Sequence, residues 1–397
     1  MDEKYNLTYW IYLYFDILCY LNFVDSYNEF VNQHNMRKLR YQTLTMIIKP
    51  IIVRDIAIPV FEFYKNIKSF APEVYAEMIA NEENERFIQF IKSIRNNMKY
   101  LPKKKKADIT RIDNIFEETS ELVKEESYDG KQTLDYFSGI YFGKHRLYGS
   151  TLITNSHIFR EVISKFSNEE INKFENSIPE NLKAIKSALE QSLPLLKGIT
   201  LPIPNNNNKN RFFAIHLSRN IDDMVAASGF EKEIIYLLLV AIQEINTVDI
   251  CMDFVFDEEQ IKDNTILLFF FTKWIAIKLD EIIDMFDAIV EHGNKYNLNA
   301  DLFSKKLTAE VGNFEDLRET VKDLRNSHHY ENAGKLMPVM ENDINIDINA
   351  IFNTLCPGYS TREDYCYLYN KIRRKLEIVR VFCENNIGVK IFVKKHR

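Results

Sequence analysis

The chain is predicted to be an all-α protein built from helical bundles, and three observations carry that prediction. Breakers are scarce, with 11 Gly and 10 Pro in 397 residues, so long stretches are free to run as helices. Apolar residues make up 46% of the chain and recur at helical rather than alternating spacing. Its 28 Phe and 21 Tyr supply large side chains for packed cores. A chain of this length is expected to divide into about two to three domains.

In order, the first half predicts helices near 7–34, 37–70, 72–80, 83–100 and 109–127. In the fourth, Phe87, Phe90, Ile91, Ile94 and Met98 share one face. Pro102 and the run Lys103-Lys104-Lys105-Lys106 then mark a loop. Gly130, Gly139, Gly143 and Gly149, interleaved with Tyr136 and Tyr141, make 128–150 the least helical part, compatible with a small hairpin.

Two or three helices follow over 157–198. Ser167 with Glu170 and Ser177 with Glu180 both have capping-box spacing, in which Ser accepts from the N3 amide and Glu reaches back. Pro202, Pro204, Asn205 to Asn208, Lys209 and Asn210 form a polar, turn-rich stretch that buries nothing. A domain junction is expected there. It separates an N-terminal helical domain (1–150) and a helical connector (151–201) from a C-terminal helical domain (211–397). In the last of these, helices are predicted near 218–228, 230–248, 257–292, 298–309, 313–333 and 361–385. Tyr236 to Ile245 and Leu267 to Ile277 are apolar enough to form the bundle centre.

The formal net charge of −6 gives no global attraction for nucleic acid, so any such contact has to be a local patch. Cys19, Cys251, Cys356, Cys366 and Cys383 are odd in number and lack metal-ligand or redox spacing, which reads as a reduced, cytoplasmic protein. The start Met1-Asp2-Glu3-Lys4 is not a basic leader. The most apolar run, Thr265 to Ile277, is too short to span a bilayer and contains Lys273, so no membrane association is expected.

The most informative segment is Leu324-Arg325-Asn326-Ser327-His328-His329-Tyr330. Its helix would bury Phe314, Leu317, Val321 and Leu324. Arg318, Lys322, Arg325 and His329 would form a second stripe, one helical turn apart. A planar guanidinium binds phosphate oxygens, and an imidazole exchanges protons near neutral pH, so the pair suits phosphate chemistry. Basic residues in a last helical turn also simply complement the helix dipole.

The segment resembles the signature of the HEPN superfamily, all-helical domains of which many are metal-independent ribonucleases of toxin–antitoxin and phage-defence systems. Their motif is Arg, a polar residue that is often Asn, and a His after four to six intervening residues. Arg325 and Asn326 match the first two positions. His329 follows after three intervening residues and His328 after two, while Tyr330 stands where the shortest motif has its His. The resemblance implies attack of a ribose 2′-hydroxyl on the adjacent phosphate. Arg325 would stabilise the phosphorane, His329 or His328 would relay the proton, and Asn326 would orient it, with no metal or other cofactor. It also implies a dimer in which two Arg/His sets share one RNA cleft, and an antitoxin or defence protein as a further partner.

The stretch Phe87 to Asn96 echoes Phe314 to Asn326. Both deliver Arg-Asn, and both have Tyr five residues after the Arg, at Tyr100 and Tyr330. A duplicated unit with a degenerate first copy and a coincidence between two amphipathic helices both fit. If duplicated, the two units could form an internal pseudo-dimer in place of a homodimer. RNA contacts are then expected from Arg95, Lys103, Lys104, Lys105, Lys106, Arg318, Lys322 and Tyr330.

Two alternatives stand beside this reading. One is a non-catalytic helical interaction module carrying a decayed motif. The other is a metal-dependent helical enzyme using Asp280, Glu281, Asp284 and Asp287, although this cluster, like Asp249, Asp253 and Asp257, reads first as a solvated acidic face.

Overall fold

Runs of apolar residues at helical spacing become twelve helices among the described residues, and the fold is all-α with one small sheet attached. The computed structural model describes residues 7–33, 39–97, 138–142, 145–149, 162, 165–204, 212–214, 221–328, 358–359 and 361–387. In chain order the first helices are α1 (Leu7–Gln33), α2 (Leu39–Phe70), α3 (Pro72–Ile79) and α4 (Glu82–Asn97). After them come β1 (Ser138–Phe142), β2 (His145–Gly149), α5 (Asn168–Ser192) and β3 (Phe212–Ala214). The remaining helices are α6 (Ile221–Ser228), α7 (Lys232–Val255), α8 (Glu258–Asp263), α9 (Thr265–His292), α10 (Ala300–Glu310), α11 (Glu315–His328) and α12 (Arg362–Asn386). The helix expected at 109–127 lies outside the described residues.

Helix ends follow local side-chain chemistry. Ser167 accepts from the Glu170 amide while Glu170 reaches back to the Ser167 amide, a complete capping box that starts α5. The second expected box, Ser177 with Glu180, does not form. Ser177 donates its hydroxyl to the Phe174 carbonyl (2.9 Å), and α5 runs on through Pro179 because Ile178, Leu182, Ile185 and Leu189 bury one continuous face. The single helix expected at 257–292 is two. Asn264 leaves helical geometry (φ −107°, ψ 118°) and its side chain accepts from the Leu267 amide, ending α8 and capping α9. Gly312 (φ +76°) ends α10 in the left-handed conformation.

The expected hairpin at 128–150 forms as β1 and β2, antiparallel with Ile140 opposite Leu147. The far side of the Asn-rich stretch then adds β3 to β1, with Ile140 opposite Ala214, giving the order β2-β1-β3.

Helices from both sides of residues 200–211 contribute to one continuous hydrophobic core. Its axis is α9, which is buried from Ile266 to Asp280. Tyr12 and Tyr20 of α1 pack edge-on against Phe269 and Phe270 of α9, at centroid distances of 5.0 Å and 5.0 Å. Residues 201–204 carry no regular structure. Both halves also share an element order. Long α2 and short α3 precede α4, which carries Arg95-Asn96 near its end, as long α9 and short α10 precede α11, which carries Arg325-Asn326 near its end. Among the described residues no helix is long and apolar enough to cross a membrane.

Candidate functional site

Helix α11 has two faces, as its periodicity requires. Leu317, Val321 and Leu324 are buried, with Phe314 just ahead of the helix buried beside them, and Arg318, Lys322 and Arg325 line the adjoining flank. This flank lies along α9, where Asp280, Asp284 and Asp287 recur at one-turn spacing. Arg318 binds Asp287 (2.5 Å). Arg325 donates from Nη1 to Asp284 Oδ2 (2.9 Å) and meets Asp280 Oδ2 in a close ion pair. Lys322 is exposed, near enough to Asp280 to act on its charge.

The acidic residues of α9 are therefore not a solvated face. Packing of α11 turns three carboxylates of that face into the acidic half of an interhelical seam. Only a partner helix could reveal this, since the spacing of Asp280, Asp284 and Asp287 is the same in either case. The side chain of Asp280 is 4% exposed, against 34% for Asp284 and 23% for Arg325. Burial pushes the Asp280 carboxyl up to about 7, Arg325 pulls it back, and neighbouring Asp284 and Glu281 push it further up. Burial likewise raises Asp284, and Arg325 opposes that.

The other expected site residues divide into those with a described environment and those without. Asn326, beside Arg325, is partly buried. His328 ends α11, and its side chain, together with His329 and Tyr330, lies outside the described residues, as do Lys103, Lys104, Lys105 and Lys106. Arg95 is placed: its guanidinium lies over Phe61 (5.1 Å) and faces Glu62 of α2 (3.7 Å). Thus each Arg of the two Arg-Asn pairs meets a carboxylate on the long helix that precedes it.

A second group of charges was missed by sequence reasoning. Arg54 of α2 grips Glu244 of α7 through two parallel hydrogen bonds of 2.6 Å each. Its neighbour Asp55 accepts from Arg54 Nε (3.1 Å), Trp274 Nε1 (2.7 Å) and Lys278 Nζ (3.0 Å). Lys278 also reaches Glu244 (2.8 Å), and Glu281 stands at the rim, 3.8 Å from Arg54. Burial alone would raise Glu244, but Arg54 and Lys278 outweigh it and hold its carboxyl at about 2. Burial also raises Glu281, whose neutral form would leave two cations facing two anions. A third buried pair, Lys273 with Asp16, joins α9 to α1, with the ammonium 4.4 Å from the Tyr12 ring centre. The signal for most of these residues was available: Arg54-Asp55 within Ile51 to Val60, and Lys273 and Lys278 within Thr265 to Leu279, interrupt runs too apolar to face water.

The remaining acidic residues have local roles. Asp249 pairs with Arg373 of α12 (3.2 Å) beside an open pocket of about 240 Å³, and Asp257 caps α8. The side chain of Asp253 lies outside the described residues. No group of three or more His, Cys, Asp and Glu side chains among the described residues is arranged to hold a metal ion. Compared with family models, curated proteins and solved structures, the chain finds no match in any of the three.

Proposed function

We propose that the chain is a HEPN-like RNA effector, a metal-independent endoribonuclease or RNA-binding protein of toxin or phage-defence type, working through the end of α11. The observation that carries this reading is the presentation of Arg325. It lies in the last turn of α11 beside Asn326 and ahead of His328. Its guanidinium is oriented through Nη1 alone among the described contacts and is still part-exposed. An arginine oriented before substrate arrives loses less freedom when it takes a phosphate oxygen.

In the proposed reaction the ribose 2′-oxygen attacks the adjacent phosphorus and the 5′-oxygen departs. His329 or His328 relays the proton, and Arg325 faces the oxyanions of the phosphorane. The parallel order of α2-α3-α4 and α9-α10-α11, each ending in Arg-Asn, supports two copies of one unit arranged as an internal pseudo-dimer. A homodimer would be the other arrangement able to bring two such sets together.

The decisive experiment is cleavage of a mixed-sequence RNA by the full chain in excess chelator. Cleavage should persist, and Arg325→Ala should lower it by about 10²-fold or more, the loss typical of an oxyanion donor, without loss of helical circular dichroism. His329→Ala should do the same. A wild-type chain that neither binds nor cleaves RNA would sink the proposal. The ion pairs of Arg318 and Arg325 favour a specific second reading, a non-catalytic interaction module in which the seam only docks α11. That reading expects Arg325→Ala to reduce stability and to leave RNA unaffected. Recovery of cleavage only with added magnesium or manganese would instead point to the carboxylates of α9.

A further inference from the structure

Two carboxylates share one nitrogen of Arg325, and they are not equivalent. Asp280 approaches from the core, 4% exposed, with an Oδ2 that has the ion pair but no aligned hydrogen bond among the described residues. Asp284, one turn further along α9, approaches from the solvent side, is 34% exposed, and makes the aligned 2.9 Å bond. An incoming phosphate carries the same charge as a carboxylate and seeks the same guanidinium face. It can reach Arg325 only from solvent. It would compete with Asp284, whereas Asp280 would stay beneath the guanidinium as its fixed partner.

We infer that Asp280 is a positioning residue that anchors Arg325, and that Asp284 is a built-in surrogate for the RNA phosphate, displaced when RNA binds. This rests on the proposed role of Arg325 in RNA binding. The two carboxylates then have opposite effects on the same ligand. Asp284 holds the arginine in a closed, substrate-free state. Asp280 keeps the guanidinium at one height and angle whether Asp284 or phosphate is bound, as a reacting site needs from its supporting groups.

The test compares Asp284→Asn with Asp280→Asn in the full chain, using a short fluorescent ribo-oligonucleotide. Asp284→Asn should tighten binding and lower KM by about 2–5-fold, the range that a part-exposed ion pair contributes, with kcat little changed. Asp280→Asn should lower kcat by about tenfold or more, because a displaced guanidinium no longer meets the phosphorane. Asp280→Ala gives the same readout from a second variant whose folding is checked separately. An independent measurement needs no RNA: nitrogen-15 NMR of the Arg325 guanidinium, where hindered rotation about the Cζ–Nη1 bond reports the anchor. Slow rotation should survive Asp284→Asn and be lost in Asp280→Asn. Equal effects of the two variants, or tighter RNA binding in Asp280→Asn, would overturn the inference. If the wild type binds no RNA, the displacement half falls together with the proposed function, while the guanidinium signals still decide the anchor half.

Discussion

Burial raises the pKa of Asp280 to about 7 against 3.8 for an unperturbed Asp, a rise that the Arg325 guanidinium opposes. The consequence for stability has a definite sign. The folded state holds a proton that the unfolded chain releases, so this contribution is fully present below about pH 3.8 and is lost as pH rises through about 7. Between pH 5 and pH 8 the change is on the order of 2–3 kcal/mol. Asp280→Asn keeps the shape and removes the titration. Urea melts should therefore show the variant gaining on the wild type by that amount between pH 5 and pH 8, and an unchanged difference would remove Asp280 as the titrating group. Glu244 works in the other direction. Arg54 and Lys278 hold it ionised, so its contribution is present above about pH 4.5 and is lost as pH falls through about 2, outside the Asp280 window.

On the scale of single elements, two serines with identical spacing have different roles, and alanine substitution should separate them. Ser167 starts α5 and satisfies a backbone amide there, so Ser167→Ala should cost about 0.5–2 kcal/mol in thermal or chemical denaturation. Ser177 sits inside the same helix and back-bonds to Phe174, so Ser177→Ala should stay within about 0.5 kcal/mol of wild type. Equal losses would mean that each serine starts a helix of its own in solution, and a loss at Ser177 alone would mean that α5 begins there. The seam between α9 and α11 allows a similar measurement. Arg318 and Asp287 are each more than one third exposed, so a double-mutant cycle should give a coupling of only about 0.2–1 kcal/mol. Most of the docking of α11 then comes from Phe314, Leu317, Val321 and Leu324, and Leu324→Ala should cost about 2–5 kcal/mol.

For the whole molecule, buried ions tie elements that are remote in sequence. Lys273 and Asp16 are each 1% exposed and 257 residues apart, so removing one leaves the other charged and unsolvated. Asp16→Ala should destabilise the chain by about 3–5 kcal/mol, whereas replacing both residues by apolar ones of similar volume should be nearly neutral or stabilising. The pair spans the two halves, so the loss should appear in one unfolding transition followed at both ends of the chain. Two separate transitions, with only one shifted by Asp16→Ala, would mean that the halves unfold independently.

What the sequence determined by itself is the helical character of the chain, where most helices lie, and which stretches are buried all round. Periodicity and capping act over a few residues, and both can be read from neighbours along the chain. Tyr236 to Ile245 and Leu267 to Ile277 are buried almost throughout, as their composition required. The hairpin at β1 and β2 followed from glycine spacing in the same local way. The sequence also marked Arg325 and Asn326 as a pair at the end of a helix, but not what faces them. Only the tertiary structure decided that Asp280 and Asp284 hold Arg325, that Arg54 grips Glu244 190 residues away, and that Ser177 lies within a helix rather than ahead of one. The physical reason is common to all three. A charge or a hydroxyl has the same local spacing whether it meets water or a partner, and its partner here comes from another turn or another helix. Its energetic role is fixed by burial, which arises only when the helices pack.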